Sequence, residues 1–299
     1  MAQTNTETPD RRFETLDRWP AAAIVEGAVG VQVEALRAIM SATESLAAAI
    51  DAMAAALAGG DRMVYCGAGS SGLIAQLDAV ELPGTFGIPL DRVPVILAGG
   101  TAALQEIPSG AEDDREAAVA AVDRLGVGPG DGFVAIAASG GTPFTVAGLE
   151  RARARGAVTV GISCVAGAPL LRAADHPILI ETPSEILAGS TRMGAGTAQK
   201  CALNILSTGV AVRLGHAYAG LMVNMRPENA KLRARAAAIV AKAADVDAMK
   251  AEEALRASDW SIKTAIVACA AKLDAAGARA RLERTGGHIR AALENDAAA

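Results

Sequence analysis

A chain of 299 residues that is 52% hydrophobic and 20% charged is too apolar for disorder and has the material for a substantial core. Its apolar stretches are broken by charge before the roughly 18 residues a bilayer crossing needs, and its first residues lack the apolar centre of a secretory signal; a cytoplasmic protein with no membrane partner is expected. A net charge of −5, no basic run and only 3% aromatic residues exclude the usual means of gripping nucleic acid.

Residues 1–30 show no strong period. From Val31 to Leu57 the apolar residues Val33, Leu36, Ile39, Met40, Leu46, Ile50, Met53 and Leu57 recur at helical spacing, which predicts one long or broken helix ended by Gly59-Gly60. Five short apolar runs follow: Arg62–Cys66, Val93–Ala98, Gly132–Ala137, Ala157–Ser163 and Pro177–Ile180. Continuous apolar strands alternating with helical segments predict an α/β fold, a parallel sheet covered on both faces. From Gly196 onward the pattern is helical: Thr197–Leu214, Glu228–Lys242, Ala248–Ala257, Ser261–Leu273, Ala275–Arg284 and His288–Leu293. No repeat of fixed period is evident. Cys66, Cys164, Cys201 and Cys269 lie far apart, with no CxxC pair and no adjacent histidine, so they read as small core residues and suggest neither disulfide nor metal.

The chemistry sits in the loops after the strands. Gly67-Ala68-Gly69-Ser70-Ser71-Gly72 follows the first strand. As a dinucleotide fingerprint it lacks the acidic residue at the end of the second strand, which closes Leu97-Ala98-Gly99-Gly100. It does place two hydroxyls and several backbone N–H groups at a helix start, which suits a phosphate; the plainer alternative is a glycine turn with a serine cap. Ser139-Gly140-Gly141-Thr142-Pro143 follows the third strand, with Thr142 at the N-cap position and Pro143 opening a helix. In the sheet order 2-1-3-4-5 these two loops leave neighbouring strands at the switch point, where a ligand is expected. A third hydroxyl pair, Ser190-Thr191, either completes the pocket or caps the following helix.

The blocks Gly67–Gly72 with Leu77–Thr85, Ser109–Asp113, Ala138–Pro143, Gly189–Lys200, Leu221–Val223 and Asn229–Leu232 together resemble the SIS phosphosugar-binding domains and, within them, the N-acetylmuramic acid 6-phosphate etherase family. The resemblance covers nearly the whole chain. It implies a five-stranded SIS sheet with helices on both sides, an amino-terminal helical segment over 1–58, the SIS domain over 59–240 and a helical subdomain over 241–299 similar to ubiquitin-associated modules. It also implies a homodimer with sites near the subunit interface, and no cofactor.

Matched motif to motif, the family's catalytic carboxylates fall on Glu81, placed at the end of the helix begun by the glycine loop, and Glu112. Substrate and phosphate binding would fall to Gly69, Ser70, Ser71, Ser139, Gly140, Gly141, Thr142, Ser190 and Thr191. The implied reaction opens the sugar ring, removes the C2 proton that the aldehyde acidifies, expels lactate from C3 and adds water. Glu112 is assigned as base and Glu81 as acid. The family pattern carries arginine where this chain has Leu73 and Gly141. Loss of those cations leaves open a SIS lyase or isomerase for another 6-phosphosugar, for which Glu185 is the candidate carboxylate, or a non-catalytic phosphosugar-binding regulator.

Overall fold

The computed structural model describes residues 5–294 apart from 60 and 107; of the helix-ending pair Gly59-Gly60, Gly60 therefore lies outside the described residues. Two compact units divide the chain at Val80/Glu81, Leu90/Asp91 and Ser207/Thr208.

The first unit begins with three short 3-10 turns and then α1 (Ala21–Ala38). The helix starts ten residues earlier than the period suggests. Val31 and Ala35 are its buried residues, and its outward side is itself rich in Ala and Val, so the contrast that reveals a helical period is missing. A 3-10 stretch, Ile39–Ala42, separates it from α2 (Thr43–Leu57), the break the sequence allows for. The Ser41 and Thr43 hydroxyls donate to the Ala38 and Met40 carbonyls there, at 2.7 and 2.8 Å.

The sheet contains β1 (Met63–Gly67), β2 (Val95–Leu97), β3 (Gly132–Ile136), β4 (Val158–Ser163) and β5 (His176–Leu179), all parallel in the order β2-β1-β3-β4-β5. Between them run α3 (Gly69–Phe86), α4 (Arg115–Leu125), α5 (Pro143–Ala154) and the short α6 (Pro169–Ala173). Strand residues Val64, Cys66, Phe133 and Ala135 join Ala118, Val122, Phe144, Ala147, Leu149 and Leu170 in one buried cluster under α4, α5 and α6. On the other face α2 packs so closely that a Cβ on Gly132 would strike the Met53 side chain. Burial from both sides explains why these strands read as unbroken apolar runs rather than alternating ones. Cys66 and Cys164 are buried as expected, whereas Cys201 and Cys269 are only half-buried. No helix among the described residues is long and apolar enough to cross a membrane.

The helix α7 (Gly194–Arg213) leads into the second unit, which holds the two-stranded hairpin β6 (Ala217–Tyr218) and β7 (Leu221–Met222), then α8 (Ala230–Ala244), α9 (Ala248–Ala257), α10 (Ile262–Ala271), α11 (Ala275–Arg284) and α12 (Ile289–Glu294). Contrary to the reading of the sequence, this region contains a repeat: α9-turn-α10 and α11-turn-α12 correspond position by position at one constant interval. Asp247 and Asp274 cap the first helix of each copy, accepting from Lys250 N at 2.8 Å and Gly277 N at 2.7 Å. Leu255 and Leu282 are buried at matching positions, and their carbonyls accept from Trp260 N and Gly287 N, both at 2.8 Å. Ile262 and Ile289, then Ala265 and Ala292, are buried next. The two turn residues have positive φ in both copies, Gly286 and Gly287 in one but Asp259 and Trp260 in the other.

Candidate functional site

The glycine turn after β1 is set by a backbone contact. A Cβ on Gly67 would meet the Gly72 Cα at 2.9 Å, so strand end and helix start press together as only glycines allow. Gly72 N donates to Ala68 O at 3.0 Å, and Gly69 enters α3 with φ +52°. Ser70 is exposed, and its hydroxyl has no hydrogen-bond partner among the described residues. Ser71 is buried and its hydroxyl donates to Gln199 Oε1 at 3.0 Å.

Gly67 pairs in register with Ile136, so the loop after β3 leaves the same sheet edge beside the first. Gly140, with φ +62°, leaves no room for a side chain: a Cβ would strike Ser163 Oγ and lie 2.5 Å from the Ala168 Cβ. Ser139 is exposed and its Oγ accepts from Gly141 N at 3.2 Å. Thr142 occupies the N-cap position of α5, followed by Pro143, but its hydroxyl makes no capping bond. Gly141 is different from its neighbour. Its φ is not positive, and the nearest atom to a built Cβ is Ser139 Oγ at 4.0 Å.

Glu185 takes the capping role that was one of the two left open for Ser190 and Thr191. It is 1% exposed, and its two carboxylate oxygens accept from Gly194 N and Ala195 N, each at 2.8 Å, at the start of α7. The cap of this helix is therefore a carboxylate nine residues upstream, not either hydroxyl. The half-buried Ser190 and Thr191 keep side chains with no hydrogen-bond partner among the described residues. Glu185, whose oxygens are already committed to backbone, is a structural group in this geometry rather than a free base.

The helices α3 and α7 are joined along a buried polar seam that sequence reading missed. Asp78, 3% exposed, accepts from Tyr65 OH and Asn204 Nδ2, both at 2.6 Å, and from Ser207 Oγ at 3.1 Å. Burial first, and then the Asp78 carboxylate beside it, push the Tyr65 hydroxyl well above its ordinary range, so it remains a donor. Lys200 donates in turn to Asn204. The spacing of Asp78 with Ser71, and of Gln199 with Ser207, was the available signal: two polar residues two turns apart on otherwise apolar helix faces.

Glu112 lies in the first unit, in the 3-10 turn Ala111–Asp113 that follows Gly110 at φ +76°. Glu81 lies in the second, on α3. The helix does not stop at Pro83-Gly84 as expected; it continues to Phe86, so Glu81 is a helix-interior residue. Pro83 gives up its own N–H, but its carbonyl still accepts from Gly87 N at 3.0 Å. Both carboxylates are exposed, and neither bonds to another side chain among the described residues.

A five-stranded parallel sheet with two glycine-rich, hydroxyl-bearing loops at its switch point defines the SIS class, and residues 31–164 match the SIS domain family. A phosphoheptose isomerase structure from Francisella tularensis aligns over 65% of this chain and 98% of its own, with 20% identity and a TM-score of 0.48. Closer in sequence are N-acetylmuramic acid 6-phosphate etherases. That of Deinococcus radiodurans is 44% identical over 288 residues, 96% of this chain and 94% of the relative. That of Mycolicibacterium smegmatis is 41% identical over 293 residues, 98% of each. The chain belongs to the N-acetylmuramic acid 6-phosphate etherase family.

Proposed function

We infer that this chain is a carbon–oxygen lyase that cleaves the D-lactyl ether of N-acetylmuramic acid 6-phosphate, giving N-acetylglucosamine 6-phosphate and D-lactate. The observation that carries the reading is the pairing of the Gly69–Ser71 and Ser139–Thr142 loops on adjacent strand ends, in a chain 44% identical to etherases across nearly its full length.

In this reading the phosphosugar lies against the glycine turns at Gly69 and at Gly140-Gly141, where the missing side chains admit it, and takes hydrogen bonds from the Gly69 N–H and from the hydroxyls of Ser70, Ser71, Ser139, Thr142, Ser190 and Thr191. Direct displacement at an alkyl ether is slow because an alkoxide leaves poorly. The open-chain aldehyde solves this by acidifying C2. Glu112 takes the C2 proton, the electron pair forms the C2–C3 double bond, the C3–oxygen bond breaks, and Glu81 supplies the proton that lactate leaves with. Glu81, now ionised, takes a proton from water as its oxygen adds to C3, and Glu112 returns a proton to C2. Each carboxylate is asked for about 10²–10⁴ in rate.

The partner is a second copy. Val25, Val29, Val33 and Leu36 form one exposed stripe along α1, continued by Met40, which is 76% exposed. No charge interrupts this stripe, and an exposed apolar helix face of this length marks a protein–protein contact.

Incubation of the purified protein with N-acetylmuramic acid 6-phosphate tests the function. Enzymatic detection of D-lactate supports it; binding of the phosphosugar without lactate would leave a regulator instead.

A further inference from the structure

Ser71 and Gln199 meet in the α3–α7 seam, both buried, at 3.0 Å. As oriented, Ser71 donates its single proton to Gln199 Oε1, and Gln199 Nε2 is left buried with no acceptor among the described residues. A hydroxyl that has spent its proton shows only lone pairs to anything else, which repels an anion. A half-turn of the amide exchanges its two ends within the same space. Nε2 then donates to Ser71 Oγ, the hydroxyl proton is released toward an oxyanion, and the unsatisfied group becomes a carbonyl oxygen. A buried carbonyl without a partner is better tolerated than a buried N–H.

The seam holds a contrast two turns away. Asp78 is acceptor-only, and it meets three donors. At Gln199 the chain has an amide, which can either accept a hydrogen bond from a serine or give one to it.

We propose that Gln199 is a positioning residue that turns Ser71 into a hydrogen-bond donor for the phosphate of the phosphosugar. This rests on the reading that the Gly69–Ser71 turn binds that group. Gln199 touches Ser71 and acts through it.

The test compares Gln199→Glu with Gln199→Met. Glutamate keeps the shape and, assayed at a pH where it is ionised, only accepts, so it holds the Ser71 proton; methionine loses the hydrogen bond but leaves the proton free. The expected result is that Gln199→Glu raises both the KM for lactate release and the inhibition constant of inorganic phosphate by about tenfold. Its kcat should stay close to wild type while the buried carboxylate lowers its melting temperature, and Gln199→Met should raise KM by no more than about threefold. A purely structural role gives the opposite order, with the near-isosteric Glu the milder change, and overturns the proposal. Repeating Gln199→Glu in a Ser71→Ala background separates the hydroxyl from simple charge repulsion: the KM penalty should shrink to about twofold, and a penalty that persists in full also overturns it. If wild type neither releases lactate nor binds inorganic phosphate, the functional reading falls and takes this one with it. If wild type does both and Gln199→Glu is unchanged, only the role of Gln199 falls.

Discussion

Gly67 and Gly72 touch backbone to backbone: a carbon added to Gly67 would lie 2.9 Å from the Gly72 Cα, and one added to Gly72 would lie 2.8 Å from the Gly67 carbonyl oxygen. The glycine turn is thus held by the packing of β1 on α3 as well as by its conformation. Gly72→Ala must move a helix from a strand, because backbone does not yield as a side chain does. It should lose about 1–3 kcal/mol of stability in urea titration. Gly69→Ala, with no neighbour within 4 Å of its Cβ, should lose only what its positive φ of 52° costs, about 1 kcal/mol.

Glu185 carries a second expectation. Its oxygens satisfy two N–H groups at the start of α7, so Glu185→Gln turns an N–H donor toward another donor. The loss should be about 2–3 kcal/mol in chemical denaturation, with kcat for lactate release within about threefold of wild type. A stable but inactive Glu185→Gln protein would mark this carboxylate as a catalytic base instead.

Gly141, where the family resemblance implies an arginine, has neither a positive φ nor an atom closer than 4.0 Å to an added Cβ. Space therefore does not enforce the glycine. Gly141→Arg should fold with stability within about 0.5 kcal/mol of wild type. It should lower the KM for N-acetylmuramic acid 6-phosphate about fivefold, because a guanidinium pairs well with a carboxylate. Inhibition by N-acetylglucosamine 6-phosphate, which lacks the lactyl carboxylate, should barely change. Equal tightening of both would assign the arginine to the phosphate.

The second unit has its own pH signature. Burial lowers the Lys263 amine from 10.5 to about 8, and no carboxylate bonds to it among the described residues. Between those values the unfolded chain holds the proton and the folded chain does not, so this residue makes stability rise with pH from about 8 to 10.5. Below about 8 both states are charged and the burial penalty is felt in full. Urea midpoints near pH 7 and pH 9.5 should therefore differ more for wild type than for Lys263→Met, and an equal difference in both proteins would place the titration elsewhere.

How much of this was legible depended on contrast. The five strands announced themselves because two-sided burial makes residues such as Val134–Ile136 uniformly apolar; alternation with helices made the sheet parallel, and its order was taken from the common doubly wound arrangement. Residues 21–30 hid their helix because both its faces are apolar. The cap on α7 was invisible because Glu185 reaches it from nine residues upstream, where no local rule looks. The repeat in the second unit was masked at its most telling point: one copy turns through Gly286-Gly287, the other through Asp259-Trp260 at the same positive φ. The candidate hydroxyl loops were readable from glycine and serine spacing, whereas the Ser71–Gln199 pair required knowing that α3 and α7 are neighbours.

The assignment of Glu81 and Glu112 is tested most directly by following the C2 proton. N-acetylmuramic acid 6-phosphate incubated in deuterated water with Glu81→Gln should exchange its C2 hydrogen while releasing no lactate, because the base remains and the acid is gone. Glu112→Gln should do neither, and wild type should release lactate with deuterium at C2 of the product. Loss of exchange and lactate together in Glu81→Gln, or exchange surviving in Glu112→Gln, would contradict the account.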